Sequence, residues 1–508
     1  MLFLLKLGRN LKRLPLLFQI FGFACGLMFV VSSYAIAIEL FREARIFFYV
    51  GLTGILVFSL FILVTSNREL KETGLGQVLS LILSFIFLPL FFAFPTWIIL
   101  PSVNWIDVYL DMVGSFTTTG LPVFEKEVLS KPLHLWRALV SWFGGGLIWI
   151  AAFVILVPIN LGGFDVVSQR INPSKSNRKL TLDERSSTLV KVGRKLIPIY
   201  IGLTVSLWGC LTGLGTDGYT SLIRALSVLS TSGISGPEKF ELDGAGFFGE
   251  LLILIFLFLA LSHTIFKSFY QKIRVQGILF DTEIRLGLFL TVLSTAVISL
   301  KQLVSGNDYG RLTDSFDTLF ELIWGIFFTV FSFITTNGYV SSFWNISQSK
   351  AEFSPIIIIL MGLCLFGGGV ATTAGGIKLL RISILFTAFS NETGKLLHPS
   401  SILGKNSTHN SLEISIFMAW IFFMLFMVSV ATLTIFLALF EMHFEEALLL
   451  AVACLTTTGP IVEMVGFGKI LILDLSSFSK MALIIGMIIG RLEILVVLSL
   501  ITFGFNRA

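Results

Sequence analysis

The chain has 508 residues, of which 55% are hydrophobic and only 13% charged, and its net charge is +5. Many of its apolar stretches reach the roughly 20 residues that a helix needs to cross a bilayer. The composition therefore excludes a soluble multidomain protein and predicts an all-α integral membrane protein. The four cysteines stand far apart without CxxC spacing, which indicates neither a disulfide framework nor a zinc site.

Residues 1–70 are predicted to form a two-helix N-terminal hairpin from the apolar segments 15–38 and 46–66. The first segment is about as long as a full membrane span, so we expect an uncleaved transmembrane helix rather than a signal peptide. The basic residues that precede it, with no acid among them, place the N-terminus in the cytoplasm by the positive-inside rule.

A short polar motif then recurs four times along the chain. The four copies, each a tetrad ending in glycine, are Thr117-Thr118-Thr119-Gly120, Ser230-Thr231-Ser232-Gly233, Thr335-Thr336-Asn337-Gly338 and Thr456-Thr457-Thr458-Gly459. Successive glycines are 113, 105 and 121 residues apart, and every copy has a threonine two places before its glycine. Repetition at near-equal spacing indicates one structural unit used four times.

The surroundings of the motif repeat as well. A short amphipathic segment precedes each copy, and apolar spans lie before and after it. Such segments are too short or too polar to span a bilayer, so we predict re-entrant half-helices at Asp107–Ser115, Tyr219–Val228, Phe316–Phe333 and Phe444–Cys454. The predicted fold is four pseudo-symmetric helix–pore-helix–helix repeats around one pore, plus two N-terminal transmembrane helices. The boundaries are 71–168 for repeat 1, 169–195 for a basic cytoplasmic loop, 196–285 for repeat 2, 286–405 for repeat 3 with a Gly-rich intramembrane loop, and 406–508 for repeat 4.

The loop 169–195 carries eight basic and two acidic residues, a local charge of eight minus two, or +6. We interpret this charge as a topology determinant rather than a nucleic-acid site, and it places the loop in the cytoplasm. Ten spans and four half-helices then leave all four tetrads on the outer side and both termini inside.

Four re-entrant tips can meet on a common axis, because irregular backbone at membrane depth must be buried in protein or line a watery cavity. Glycine permits the backbone angles that turn carbonyl oxygens toward such an axis, where they can replace the hydration shell of a monovalent cation. The residues alone leave open which cation passes. Close helix packing by small residues is the alternative, and it is the role we expect for Gly486 and Gly490.

The chain resembles the Trk/Ktr/HKT superfamily over about residues 70–508, and most closely its bacterial Trk-type membrane subunit. Beyond the tetrads, three passages carry the resemblance: Trp136 to Pro158, Phe366 to Arg381, and Met487 to Ile494. The second differs from the family's more Ser- and Cys-rich version at Val370-Ala371-Thr372.

The resemblance implies potassium uptake across the bacterial cytoplasmic membrane, with K⁺ as the transported ion at all sixteen tetrad residues and no bound cofactor. Glycine at the last position of the first tetrad separates the potassium-selective members from sodium-permeable ones, and all four tetrads here end in glycine. The resemblance also implies a homodimer with one pore per protomer. It further implies a cytosolic ring of nucleotide-binding regulatory subunits, which would dock on the basic loops near 169–195, 267–285 and 378–405.

A gate is expected below the filter. The segment Gly367–Lys378 holds five glycines and two threonines inside an otherwise apolar span, a composition in which a helix is not expected to persist. It resembles the family's intramembrane gating loop, and Arg491 stands where the family has a pore-facing arginine. The gating residues are therefore expected to be Gly367, Gly368, Gly369, Thr372, Thr373, Gly375, Gly376, Lys378 and Arg491.

Alternatives remain at this point. A sodium- or proton-coupled carrier would have the same sequence features, and Arg491 could instead pair with an acid on another helix. A voltage-gated channel is disfavoured, because no helix carries arginine at every third residue. An enzyme is disfavoured too, because the sequence has no nucleophile–base pairing and no Walker loop.

Overall fold

A computed structural model describes residues 16–65, 74–151, 182–236, 246–261, 281–305, 316–344, 355–370, 372–397, 408–440, 442–464 and 471–492. Every regular element in these ranges is helical, and no strand occurs among them. The helices are α1 (Leu16–Ala37), α2 (Phe41–Thr65), α3 (Gly74–Ile99), α4 (Trp105–Phe116), α5 (Lys131–Ala151), α6 (Leu182–Gly213), α7 (Gly218–Ser230), α8 (Gly246–Leu257), α9 (Thr282–Ser305), α10 (Phe316–Ile334), α11 (Pro355–Phe366), α12 (Leu379–Leu397), α13 (Thr408–Ala438), α14 (Phe444–Leu455), α15 (Ile461–Met464), α16 (Leu471–Asp474) and α17 (Ser477–Leu492).

The predicted N-terminal hairpin is present as α1 and α2, which pack closely along each other. Helix α1 also contacts α3 and α5, so the hairpin rests against the first repeat. The face of α2 away from these contacts is apolar and exposed, with Leu63 at 69% and Val64 at 74% exposure. An apolar, exposed helix surface of this kind is suited to lipid rather than to water.

The remaining helices form four equivalent units. In each unit, the middle helix packs between two flanking helices: α3–α4–α5, α6–α7–α8, α9–α10–α11, and α13–α14–α17. The four middle helices, α4, α7, α10 and α14, are called the short helices below. The last helix of each unit also packs against the short helix of the next, in the pairs α5–α7, α8–α10, α11–α14 and α17–α4. The fourth pair returns to the first unit and closes the ring. The predicted all-α fold of four repeats plus two N-terminal helices is therefore confirmed.

Six described helices, namely α1, α2, α3, α6, α9 and α13, are long and apolar enough to cross a membrane. The other four predicted spans correspond to α5, α8, α11 and α17, whose described parts are shorter or more polar. Helix α11 has 12 residues because the glycine-rich segment after Phe366 interrupts it. The predicted continuation of α17 to residue 505 lies outside the described residues.

Part of the predicted basic loop is helical. Residues 182–195 belong to α6, whose 32 residues exceed the length of a single span. Lysine and arginine are good helix formers, and this stretch holds no proline before Pro198, so positive charge there does not end the helix. Residues 169–181 lie outside the described part of the chain.

Candidate ion-binding site

The four short helices each end at a tetrad. Helices α4, α10 and α14 stop at the residue before it, and α7 stops at its first residue, Ser230. All sixteen tetrad residues are buried. The carboxyl end of a helix carries partial negative charge, so four such ends that meet in a protein interior favour a cation.

The tetrads share an uncommon backbone conformation. Their second residue is in the left-handed region in every copy, with φ of 56° at Thr118, 53° at Thr231, 57° at Thr336 and 54° at Thr457. A β-branched residue rarely adopts this conformation, and its fourfold occurrence shows that the segments are backbone copies of one another.

The terminal glycines are left-handed as well, with φ of 64° at Gly120 and Gly233 and 79° at Gly338. Glycine occupies this region without steric cost. Gly459 differs, because it does not have a positive φ. It precedes Pro460, and a residue before proline is driven toward extended backbone.

Neighbouring tetrads are in direct contact. A side chain at Gly120 would collide with the carbonyl oxygen of Ser232, and one at Gly233 would collide with the carbonyl oxygen of Asn337. The Gly233 amide also donates to Asn337 Oδ1 at 3.2 Å. The first tetrad therefore touches the second, and the second touches the third.

The same ring closes through the fourth tetrad. A Cβ at Gly338 would lie 3.0 Å from Pro460 Cβ, directly after that tetrad. The Gly459 amide donates to the Thr119 carbonyl at 2.6 Å, back in the first tetrad. The structure thus brings all four predicted motifs together in the cyclic order 1–2–3–4.

The hydroxyl groups of the tetrads have two kinds of partner. Those at the first position bond back to the preceding short helix, as Thr117 does to Val113 at 2.8 Å and Thr456 to Val452 at 2.7 Å. At the second position, Thr118 and Thr457 have no hydrogen-bond partner in the described part of the chain. First-position hydroxyls therefore fix the helix ends, whereas the second-position hydroxyls of Thr118 and Thr457 are available to another ligand.

The segment Gly367–Lys378, hereafter the glycine loop, joins α11 to α12 and is not helical in its described residues. Its two ends are tied together, since Ile377 donates its amide to the Leu365 carbonyl at 2.9 Å and Leu379 donates to Gly368 at 2.9 Å. The predicted break in the span is present. Ala371, within it, lies outside the described residues.

The glycine loop lies against the ends of the short helices. The Gly368 amide donates to the carbonyl of Ile334, the residue before the third tetrad, at 2.9 Å. The Thr373 hydroxyl donates to Leu229, the residue before the second tetrad, at 3.3 Å. Gly375 donates its amide to the Thr336 hydroxyl within the third tetrad at 2.9 Å.

Two buried basic side chains donate hydrogen bonds to main-chain carbonyls of the same loop. Arg491, 6% exposed near the end of α17, donates from Nη1 to the Thr373 carbonyl at 2.5 Å. Lys378 donates to the Ala374 carbonyl within the loop. The Nε and Nη2 atoms of Arg491 have no hydrogen-bond partner in the described residues, so the alternative of a hydrogen-bonded acid on another helix finds no support there.

Sequence reasoning missed the ion pairs that hold the first short helix. Asp111 on α4 pairs with Arg137 on α5 at 2.9 Å, and Asp107, also on α4, pairs with Lys480 on α17 at 2.5 Å. The signal was available: two carboxylates four residues apart in a half-helix at membrane depth require partners. Their partners are distant in sequence and could be found only in the fold.

Proteins of one known transport family are similar to this chain. The model of the TrkH family, described as cation transport protein, matches residues 253–503. The Trk system potassium uptake protein TrkI of Halomonas elongata is 26% identical, over 84% of this chain and 82% of its own. TrkH of Vibrio parahaemolyticus is 24% identical, over 80% and 81%, and TrkG of Escherichia coli is 25% identical, over 82% of both chains.

A solved structure has the same fold. The crystal structure of the potassium transporter TrkH from Vibrio parahaemolyticus matches with a TM-score of 0.75, covering 97% of this chain and 98% of that one, at 19% identity. The family is one of membrane transport proteins rather than enzymes. By its sequence match over residues 253–503, its relatives along four fifths of its length and its ring of four repeats, the chain is similar to the TrkH family of cation transport proteins.

Proposed function

We propose that this chain is the potassium-conducting membrane subunit of a Trk-type uptake system. The relatives are named as potassium uptake proteins, and this chain matches them along most of their length. The observation that carries the proposal is the closed ring of four buried tetrads at the carboxyl ends of four short helices.

The proposed selectivity filter consists of the sixteen tetrad residues. Repeated left-handed residues reverse the backbone at matching positions in each copy, which is how a chain can turn successive carbonyl groups to one side. Carbonyl oxygens converging from four segments replace the water around K⁺, and the helix ends add partial negative charge. All four tetrads end in glycine, so no side chain intrudes at that level.

The proposed gate is the glycine loop with Arg491. The loop contacts the carboxyl ends of the second and third short helices, where each helix joins its tetrad. A cation leaving the filter toward the cytoplasm would meet this loop. The Arg491 guanidinium, held on the Thr373 carbonyl, places a positive charge beside the same path.

The assembly and topology belong to the same proposal. We propose the repeat boundaries given above, a location in the bacterial cytoplasmic membrane and cytoplasmic termini, from the basic loops between repeats. A homodimer and a cytosolic ring of nucleotide-binding subunits follow from the family resemblance. Within the loops that would receive that ring, residues 169–181, 267–280 and 398–405 lie outside the described residues.

Complementation tests the function. Expression in a cell that lacks its own potassium uptake is expected to restore growth at low external K⁺. Flux measurements with K⁺, Rb⁺ and Na⁺ on the same cells are expected to show preference for K⁺ and Rb⁺. Failure to restore growth by protein that reaches the membrane would contradict the proposal. Transport that stops when a Na⁺ or proton gradient is removed would favour a coupled carrier instead.

A further inference from the structure

The glycine loop donates hydrogen bonds to oxygen atoms where the short helices join their tetrads. Its three contacts there are a main-chain amide on the Ile334 carbonyl, a hydroxyl on the Leu229 carbonyl, and the Gly375 amide on the Thr336 hydroxyl. In each contact the oxygen accepts. These are the kinds of atom that a desolvated monovalent cation would also take as ligands.

The contact at Thr336 leaves little free space. A Cβ added to Gly375 would collide with the Thr456 carbonyl oxygen and the Thr457 hydroxyl, so the loop backbone already fills the space beside the third and fourth tetrads. Gly375 and Thr336 are both buried. A cation that approached the Thr336 hydroxyl oxygen from the side that the loop occupies would have to displace the Gly375 amide, because the loop backbone leaves no room beside it.

The third tetrad differs from the other three at this atom. The Thr231 hydroxyl donates to the carbonyl of its own neighbour Ser230 at 2.7 Å. The hydroxyls of Thr118 and Thr457 have no hydrogen-bond partner within the described ranges. The equivalent hydroxyl of Thr336 accepts from the loop at 2.9 Å, so of these four equivalent groups it is the one that bonds the loop.

We infer that the Thr336 hydroxyl is the docking point of the glycine loop on the filter, and that a permeant monovalent cation competes with the Gly375 amide for it. A cation bound at the Thr336 hydroxyl then releases the glycine loop, and the absence of a cation there favours the closed position of the loop. The inference rests on the proposed function, because it assigns the tetrads to a cation path. It makes Thr336 a positioning residue for the loop as well as a ligand.

The test compares two isosteric variants in liposomes. Thr336→Val and Thr118→Val each remove one second-position hydroxyl, but only the first breaks a bond to the loop. At low K⁺, Thr336→Val is expected to carry about fivefold more rubidium flux per folded protein than Thr118→Val, because a neutral hydrogen bond contributes about 1 kcal/mol. Wild-type flux is expected to rise more steeply than in proportion to K⁺, and this steepness is expected to vanish in Thr336→Val.

Thr336→Ser keeps the hydroxyl and is expected to restore the wild-type dependence on K⁺. Size-exclusion chromatography identifies the folded fraction of each variant. Superimposable flux curves for Thr336→Val and Thr118→Val at every K⁺ concentration would overturn the competition while leaving the pore intact. No rubidium flux from the wild type under any condition would overturn the proposed function and, with it, this inference.

Discussion

The guanidinium Nη1 of Arg491 lies 2.5 Å from the main-chain carbonyl oxygen of Thr373. The bond joins the end of α17, in the fourth repeat, to the glycine loop of the third. Thr373 also donates its hydroxyl to Leu229, at the end of the short helix in the second repeat. Thr373 therefore connects the second, third and fourth repeats through two hydrogen bonds, and one of these bonds comes from a charged group, the Arg491 guanidinium.

Removing this arginine is expected to open the pathway. Hydrogen bonds to charged groups contribute about 1.5–3 kcal/mol, so Arg491→Ala or Arg491→Gln should raise K⁺ flux at least severalfold by releasing the loop. Loss of the fixed charge acts in the same direction, because it removes repulsion on a passing cation. Arg491→Lys keeps the charge and is expected to retain most of the barrier. The measurement is flux per folded protein in the membrane.

The opposite outcome has a distinct meaning. If Arg491 held a buried acid in the fold, the alanine variant would leave that acid uncompensated, and the amount of folded protein would fall. A fully folded Arg491→Ala protein with reduced flux would contradict both explanations and indicate that the arginine holds the pathway open.

Gly120→Ser is expected to lower the preference for K⁺ over Na⁺. The added side chain would collide with the Ser232 carbonyl and would occupy a backbone position with φ of 64°, so both the contact and the conformation oppose it. The ratio of K⁺ to Na⁺ permeability is the quantity to measure. Gly209→Ser is the matched control, because a Cβ at Gly209 meets no atom within 4 Å. Unchanged ratios in both variants would remove Gly120 from the filter.

Shortening the glycine loop is expected to raise basal flux while leaving selectivity unchanged. A deletion within 369–374 removes the Thr373 contacts to Leu229 and Arg491 but leaves all sixteen tetrad residues in place. Rubidium flux and the K⁺ to Na⁺ ratio are measured together in the same liposomes. A folded deletion variant that conducts no more than its parent would reject the loop as a gate, and a changed ratio would show that the loop also shapes the filter.

The elements of this fold could be predicted from sequence because their signals are local. The half-helix predicted at Phe444–Cys454 is found at Phe444–Leu455, and the one predicted at Asp107–Ser115 is found at Trp105–Phe116. Hydropathy and repetition are properties of neighbouring residues, and a helix end placed before a Thr-rich tetrad needs no tertiary information.

Contacts between repeats could not be predicted in this way. Gly490 was expected to serve close helix packing, but the sequence did not show its partner: a side chain there would collide with the carbonyl of Leu455, directly before the fourth tetrad. Gly144 and Gly367 stand in the same relation to the carbonyls of Phe116 and Ile334. This recurring approach of a flanking segment to the end of a short helix depends on register between distant segments, which no sequence window contains.

The ion pair between Asp111 and Arg137 gives a final prediction about stability. Both side chains are almost fully buried, and Arg137 also donates to the carbonyl of Leu121, the residue after Gly120, at 3.3 Å. Asp111→Asn would leave the arginine charge buried without its partner, which costs about 3–5 kcal/mol in comparable cases. We therefore expect a lower thermal midpoint in detergent and, through Leu121, a less selective filter.

An exposed ion pair, Lys126 with Glu463, is the control that separates the effect of burial on stability from the effect of losing a charge. Lys126 and Glu463 lie 3.5 Å apart, but their side chains are 28% and 43% exposed, and exposed pairs contribute about 0–1 kcal/mol. Glu463→Gln should leave the midpoint nearly unchanged. The double variant Asp111→Leu with Arg137→Met should recover stability relative to Asp111→Asn, because it removes both buried charges together. If recovered stability comes without recovered selectivity, Arg137 positions the filter through its bond to Leu121. If Asp111→Asn is as stable as Glu463→Gln, the buried pair does not hold the first short helix.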